Sequence, residues 1–244
     1  MLVDIFLDIK SDEGKSMLGS STGDDFENQI AKKLKQYGFT QELAGSKCRD
    51  EMLKKFLGEI KPRIQSKSGS TLLENTLKEQ GQQYTNFFIA QPYGSQDFPD
   101  FLVFTNDKIF SIESKFVQGD SGRPVWNGNL PKMDGIYIFG SYSKQEVVFF
   151  RGEDVLPENE RLSLLKLWEE TDKSFENWMS KNKFEINNGI IASTYGFTPY
   201  IRKAYQQSKK NNSEAVLDFF KAPEKNILKD NVIKWLNSTP NCEL

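Results

Sequence analysis

Apolar positions change their spacing twice along this chain. In DDFENQIAKKLKQYGF, residues 24–39, Phe26, Ile30, Leu34 and Tyr37 recur every three to four residues and Gly38 follows, which predicts an amphipathic helix with its stop signal. DEMLKKFLGEIKPRI, 50–64, repeats the pattern with Met52, Leu53, Phe56 and Ile60, and STLLENTLKEQGQQY, 70–84, gives a third helix after a Ser-Gly linker. From 85 the spacing shortens. TNFFIAQPY, DFLVF, KIFSIESKF, DGIYIFGS and EVVFFRG are short apolar runs bounded by turn residues and predict five strands. Helical spacing returns from 160, where Leu164, Leu167, Trp168 and Phe175 share a face; PYIRKAYQQSKK, SEAVLDFFK and LKDNVIKWL predict further helices. The opening MLVDIFLDIK reads as a short strand, and 11–23, rich in Ser, Gly and Asp, as a loop. Helices, then a mixed sheet, then helices give an α/β layered core. No long linker divides the chain, so 1–155 reads as the core with its N-terminal helices and 156–244 as a helical extension packed on it.

The central strand pair, DFPDFLVFTNDKIFSIESKF at 97–116, concentrates charge where a sheet should be apolar. With a two-residue turn at Asn106-Asp107, Asp100 falls opposite Glu113, their Cβ atoms ~5 Å apart. The two-residue strand period puts Lys115 on the same face. Leu102, Phe104 and Ile109 fill the rest of that face; Phe101, Val103, Phe110, Ile112 and Phe116 line the other. Apolar residues on both faces place the pair inside the sheet, covered on both sides. Two facing carboxylates repel, and a divalent cation resolves the conflict. Asp and Glu oxygens are the ligands Mg²⁺ prefers, and the backbone carbonyl of Ser114 is a further donor. Lys115 is then placed to hold an attacking water and to stabilise negative charge developing on a phosphodiester. A structural salt bridge, or a register slid by a longer turn or a bulge, is the alternative reading. Two other acid-x-Lys triplets, Asp8-Ile9-Lys10 and Glu59-Ile60-Lys61, do not follow an Asp at hairpin distance on an apolar strand.

Composition narrows the chemistry. The chain has 244 residues, 37% hydrophobic and 27% charged, which fits a globular protein with a sizeable core. It has no His, so histidine bases, His-containing zinc sites and Ser-His-Asp machinery are excluded. Its two cysteines, Cys48 and Cys242, are too few and too far apart for a disulfide framework or a zinc knuckle. The first ten residues lack signal-peptide architecture, and no stretch approaches the ~20 apolar residues of a membrane span. A cytoplasmic protein with no membrane contact is expected. Net charge of −2 argues against a polycation coating nucleic acid, but leaves room for a local basic cleft.

Pro99-Asp100, twelve intervening residues, then Glu113-Ser114-Lys115 resembles the signature of the PD-(D/E)XK nucleases, a superfamily that includes most type II restriction endonucleases. The resemblance covers roughly residues 20–150. It implies a restriction-endonuclease-like mixed sheet flanked by helices, Asp100 and Glu113 as Mg²⁺ ligands, and Lys115 assisting the attacking water. It also implies a further acidic residue on the helix preceding the sheet, matched by Glu27 in GDDFENQIAKKL. The activity expected is site-specific hydrolysis of double-stranded DNA by direct water attack, in a homodimer, with a companion DNA methyltransferase protecting host DNA. A junction resolvase or repair nuclease of the same fold, and a non-catalytic DNA-binding protein, are the alternatives.

The segment after Lys115, FVQGDSGRPVWNGNLPKMDGIYIF, mixes Gln118, Ser121, Arg123, Trp126, Asn127, Asn129 and Lys132. Side chains that read base edges, beside an active strand, suit a DNA groove contact. Arg202 and Lys203 begin a basic cluster beside Tyr200 and Tyr205, suited to phosphates. Ordinary turn chemistry and a solvated helix face are the plainer readings of these two segments.

Overall fold

The structure, a computed structural model, describes residues 1–67, 69–79, 81–127, 130–181, 185–186, 190–191, 204–205, 207 and 216–239. Seven strands, β1 (Thr40–Glu42), β2 (Leu73–Glu74), β3 (Phe87–Ala90), β4 (Phe101–Phe104), β5 (Lys108–Val117), β6 (Ile136–Ser141) and β7 (Glu146–Arg151), form one mixed sheet. Its order is β1-β3-β4-β5-β6-β7, with β2 beside the start of β5. The β1–β3 and β5–β6 pairs are parallel and the others antiparallel. The helices are α1 (Leu2–Ser11), α2 (Gly23–Gln36), α3 (Glu51–Ile64), α4 (Gly152–Val155), α5 (Glu158–Lys181) and α6 (Glu224–Ser238). The protein is thus α/β, a mixed sheet flanked by helices with further helices after it.

The five predicted strands are present, and the hairpin register matches the two-residue turn: Phe104 faces Ile109 and Phe101 faces Ile112. Alternation along β4 and β5 then splits the apolar side chains between two cores. Phe101, Val103, Phe110 and Ile112 pack with α1, α2 and the Val232–Leu236 end of α6. Leu102, Phe104 and Ile109 pack with Leu53, Leu57 and Ile64 of α3 and with Phe219 and Phe220. Burying a side chain of this size stabilises by about 1.5–3 kcal/mol, so the pair holding Asp100 and Glu113 is among the best-anchored parts of the sheet.

Three sequence expectations fail here. Residues 2–11 are helical, not a strand, because Leu2, Val3, Ile5, Phe6 and Ile9 bury one helical face while Asp4 and Leu7 stay exposed. The described residues of 70–84 are not helical. They hold β2 and a two-residue ladder, Lys78–Glu79 with Gln82–Gln83. Buried Asn75 fixes this path: its backbone N–H donates to the Asp107 carbonyl at 2.7 Å, and its amide donates to Tyr84 and Thr105 carbonyls at 2.6 and 2.7 Å. These tertiary bonds override local helix propensity. The predicted helices at 199–210 and 213–221 are not found among their described residues. Ala204–Tyr205 is a strand paired with Trp126–Asn127, and 216–218 are irregular. The helix from 160 forms as α5, yet Leu164 and Leu167 remain exposed; it is anchored through buried Arg161, which donates to the Lys67 carbonyl at 2.8 Å.

One glycine sets how closely α2 approaches the sheet. Phe26 lies against Phe116 of β5, ring centroids 5.4 Å apart, and over Gly140 of β6, where a Cβ would come within 2.9 Å of its ring. Gly140→Ala should therefore destabilise the protein by about 1–3 kcal/mol, read as a lower urea midpoint with an unchanged m-value.

Candidate active site

Asp100 stands at the threshold of β4 and Glu113 opposite it on β5, with Lys115 two residues on. All three line one cavity of about 200 Å³. Its walls combine Phe98, Trp126, Leu130 and Tyr137 with the polar side chains of Ser95, Gln96 and Asp97. Tyr137 is there because the parallel β5–β6 register pairs it with Glu113.

Glu113 and Lys115 form an ion pair at 2.7 Å, their side chains 15% and 21% exposed. Only one carboxylate oxygen is used. The other, Oε2, is buried without a hydrogen-bond partner. Burial pushes the Glu113 pKa up to about 7; the Lys115 ammonium pulls it down and the Asp100 carboxylate adds to the rise. Asp100 is held differently. Its Oδ2 accepts from the Ser114 backbone N–H and stands 2.7 Å from the Ser114 hydroxyl. That hydroxyl is also 3.4 Å from Glu27 Oε1, and its single proton serves the nearer oxygen.

Glu27 is on the first turns of α2, which Thr22 caps by accepting from the Asp25 backbone N–H. Gln91, just past β3, donates its side-chain N–H to Glu27 Oε2 at 3.2 Å. Burial, and then Asp100, raise the Glu27 pKa above the ordinary carboxylate value. Glu27 thus joins the constellation through Ser114 and Asp100 rather than as part of the cavity wall. The other two acid-x-Lys triplets disperse: Asp8 pairs with Lys33, Lys10 with Asp230, and Lys61 with Asp97.

Among the described residues, no three His, Cys, Asp or Glu side chains gather as a ready metal-binding group. The donor set nevertheless suits a hard cation. Asp100 and Glu113 offer carboxylate oxygens from opposed strand positions, and an orphaned buried oxygen beside a raised pKa has the unmet demand that a divalent ion satisfies.

The residues expected to touch DNA divide. Gln118 and Ser121 are exposed, the latter with its hydroxyl donating to the Arg123 carbonyl. Arg123 donates to the Gln207 carbonyl at 2.9 Å. Trp126 and Lys132 are corrected: they are 4% and 2% exposed. Trp126 forms cavity wall, and the Lys132 ammonium donates to the Gln65 and Ser66 carbonyls at the end of α3. Burial lowers the Lys132 pKa to about 8. The backbone of Asn127 pairs with Ala204. Asn129, Arg202 and Lys203 lie outside the described residues. Sequence reading missed Gln91, Leu130 and Tyr137, which approach the site only through sheet order and a loop return. Among the described residues no helix is long and apolar enough to cross a membrane. No family model matches the chain, and no curated protein or solved structure does.

The raised Glu113 pKa gives stability a direction with pH. The folded protein holds this proton more tightly than the unfolded chain, so its contribution is fully present below the ordinary carboxylate value of 4.5 and is lost as pH rises through about 7. In metal-free protein, Glu113→Gln should flatten that slope. By urea unfolding the variant should exceed wild type at about pH 8 by on the order of 2 kcal/mol, the two converging near pH 4.

Proposed function

We propose that the chain is a Mg²⁺-dependent endodeoxyribonuclease of the type II restriction class, built on the restriction-endonuclease-like core of the PD-(D/E)XK superfamily. One observation carries the reading: Asp100, Glu113 and Lys115 line a single cavity, and Glu113 Oε2 is buried there without a partner. A salt bridge serving stability alone would not need to bury a second, unpaired carboxylate oxygen.

Asp100, Glu113 and the backbone carbonyl of Ser114 would hold the ion. Bound Mg²⁺ supplies charge neutralisation for a phosphate oxygen and lowers the pKa of a coordinated water. Lys115, free to leave Glu113 once that carboxylate has a second partner, donates hydrogen bonds to the attacking water and then to the oxygens that gain negative charge. Ser114 orients Asp100, and Glu27 adds a further carboxylate beside it. Direct water attack on a phosphodiester leaves 5′-phosphate and 3′-hydroxyl ends and requires no histidine.

Cutting both strands calls for two such sites, which a homodimer on a palindromic target provides. The exposed Leu164–Leu167 flank of α5 is the surface we assign to that pairing. Gln118, Ser121 and Arg123, on the segment leaving β5, are the closest candidates for base contacts. A companion DNA methyltransferase would protect host DNA.

Incubation with plasmid and Mg²⁺ should give discrete fragments, and EDTA should abolish them. Asp100→Ala, Glu113→Ala and Lys115→Ala should each lower the cleavage rate by on the order of 10³-fold or more, with DNA affinity in Ca²⁺ changed less than about threefold. Cleavage confined to branched DNA would instead indicate a resolvase. DNA binding without cutting under any divalent ion would leave a non-catalytic DNA-binding protein.

A further inference from the structure

Trp126 is placed as no surface contact would be. Its indole is 4% exposed and meets Tyr137 edge-on, ring centroids 5.3 Å apart. It meets Phe150 in the same manner at 6.5 Å, and Tyr137 stacks on Phe150 in turn. The rings fix one another, so the indole has little freedom to turn. Over its face, 5.7 Å from the ring centroid, lies the Lys115 ammonium. A lysine side chain has several rotatable bonds and is ordinarily mobile. Here it is held from two sides, by Glu113 Oε1 at 2.7 Å and by the Trp126 ring. The first contact competes with any cation that takes that carboxylate. The second does not.

We infer that Trp126 is the positioning residue of Lys115: its indole face holds the ammonium over the cavity when Glu113 is engaged elsewhere. The inference rests on the nuclease reading for its consequence in catalysis, and on the ring contact alone for its geometry. A cation over an indole is attracted by the ring's negative face.

This also gives the C-terminal region a task at the site. Trp126 belongs to a connection that local sequence would leave as a loop. Three ties fasten that connection to later chain: the Trp126 backbone pairs with Tyr205, the Arg123 guanidinium donates to the Gln207 carbonyl, and the Phe219 backbone N–H donates to the Gly122 carbonyl at 2.9 Å. Tyr205, Gln207 and Phe219 therefore hold the wall that holds the lysine.

The test compares Trp126→Phe, which keeps an aromatic face, with Trp126→Leu, which removes it. Two readouts are used on full-length protein, with folding checked by circular dichroism and urea midpoint. The first is the Lys115 ε-methylene proton resonance, assigned by its loss in Lys115→Arg. It should lie upfield of the ordinary lysine position in wild type, stay upfield in Trp126→Phe, and return to the ordinary position in Trp126→Leu. The second is cleavage: Trp126→Leu should lower kcat about tenfold with KM within about twofold, and Trp126→Phe should recover most of the loss. A Lys115 resonance at the ordinary position in wild type, or one unmoved by Trp126→Leu, would overturn the inference. So would equal losses in the two variants at unchanged stability. If wild type cuts no DNA with any divalent ion, the nuclease reading falls, and the resonance alone decides whether Trp126 positions the lysine.

Discussion

A carboxyl group buried in an aromatic-walled cavity, with one oxygen on an ammonium and the other on nothing, is a costly thing to fold around. Glu113 is such a group. Water would solvate both oxygens; here the cavity wall replaces it on one side and leaves a demand unmet. Much else in the structure follows from that demand. Asp100 must be kept close without collapsing onto Glu113, and Ser114 does this by taking the Asp100 carboxylate on its own backbone N–H and hydroxyl. Lys115 neutralises Glu113 through its other oxygen, Oε1, at 2.7 Å.

The frame that tolerates this strain is the sheet. The β4–β5 pair sits in its middle with aromatic and aliphatic side chains packed on both faces, so no slip of register is available: a shift by one residue would drive Phe101 and Phe110 out of one core and Leu102 and Ile109 out of the other. Burial of several such side chains, each contributing about 1.5–3 kcal/mol, outweighs the penalty of one desolvated carboxyl. The unfavourable group therefore persists because the strands that carry it have no alternative pairing. The same rigidity brings in α2. Phe26 seats over bare Gly140 and beside Phe116, and Glu27, the next residue, is carried to the Ser114 side of the site.

The C-terminal region reads differently once the site is in view. Part of it returns to the core, where α6 contributes Val232 and Leu236 to one side of the sheet and Leu228 to the other. Part of it braces the connection between β5 and β6. Among the described residues, α5 is tied near its start by Arg161, meets Tyr205 through Trp168 with ring centroids 6.3 Å apart, and shows Leu164 and Leu167 outward. Among the described residues, the chain after β7 thus supplies support, while the residues that line the cavity all precede it.

The hairpin was legible because strand geometry is local: a two-residue turn and a two-residue period fix which side chains face one another, and Asp100, Glu113 and Lys115 followed from spacing alone. Glu27 was legible only as the acid on a helix whose period was clear, by resemblance to a known pattern. Where the local signal was weak or two-sided, reading failed. MLVDIFLDIK fits a strand by composition and a helix by spacing, and burial against the sheet selected the helix. Residues 70–84 have helical residues, but the buried amide of Asn75 bonds to the turn after β4 and bends the chain into short strands. Trp126 and Lys132 looked like groove contacts because polar loops suggest surfaces. Their burial, with Gln91 and Tyr137 at the site, was decided by sheet order and by the C-terminal chain folding back, contacts between residues far apart in sequence that no local period encodes.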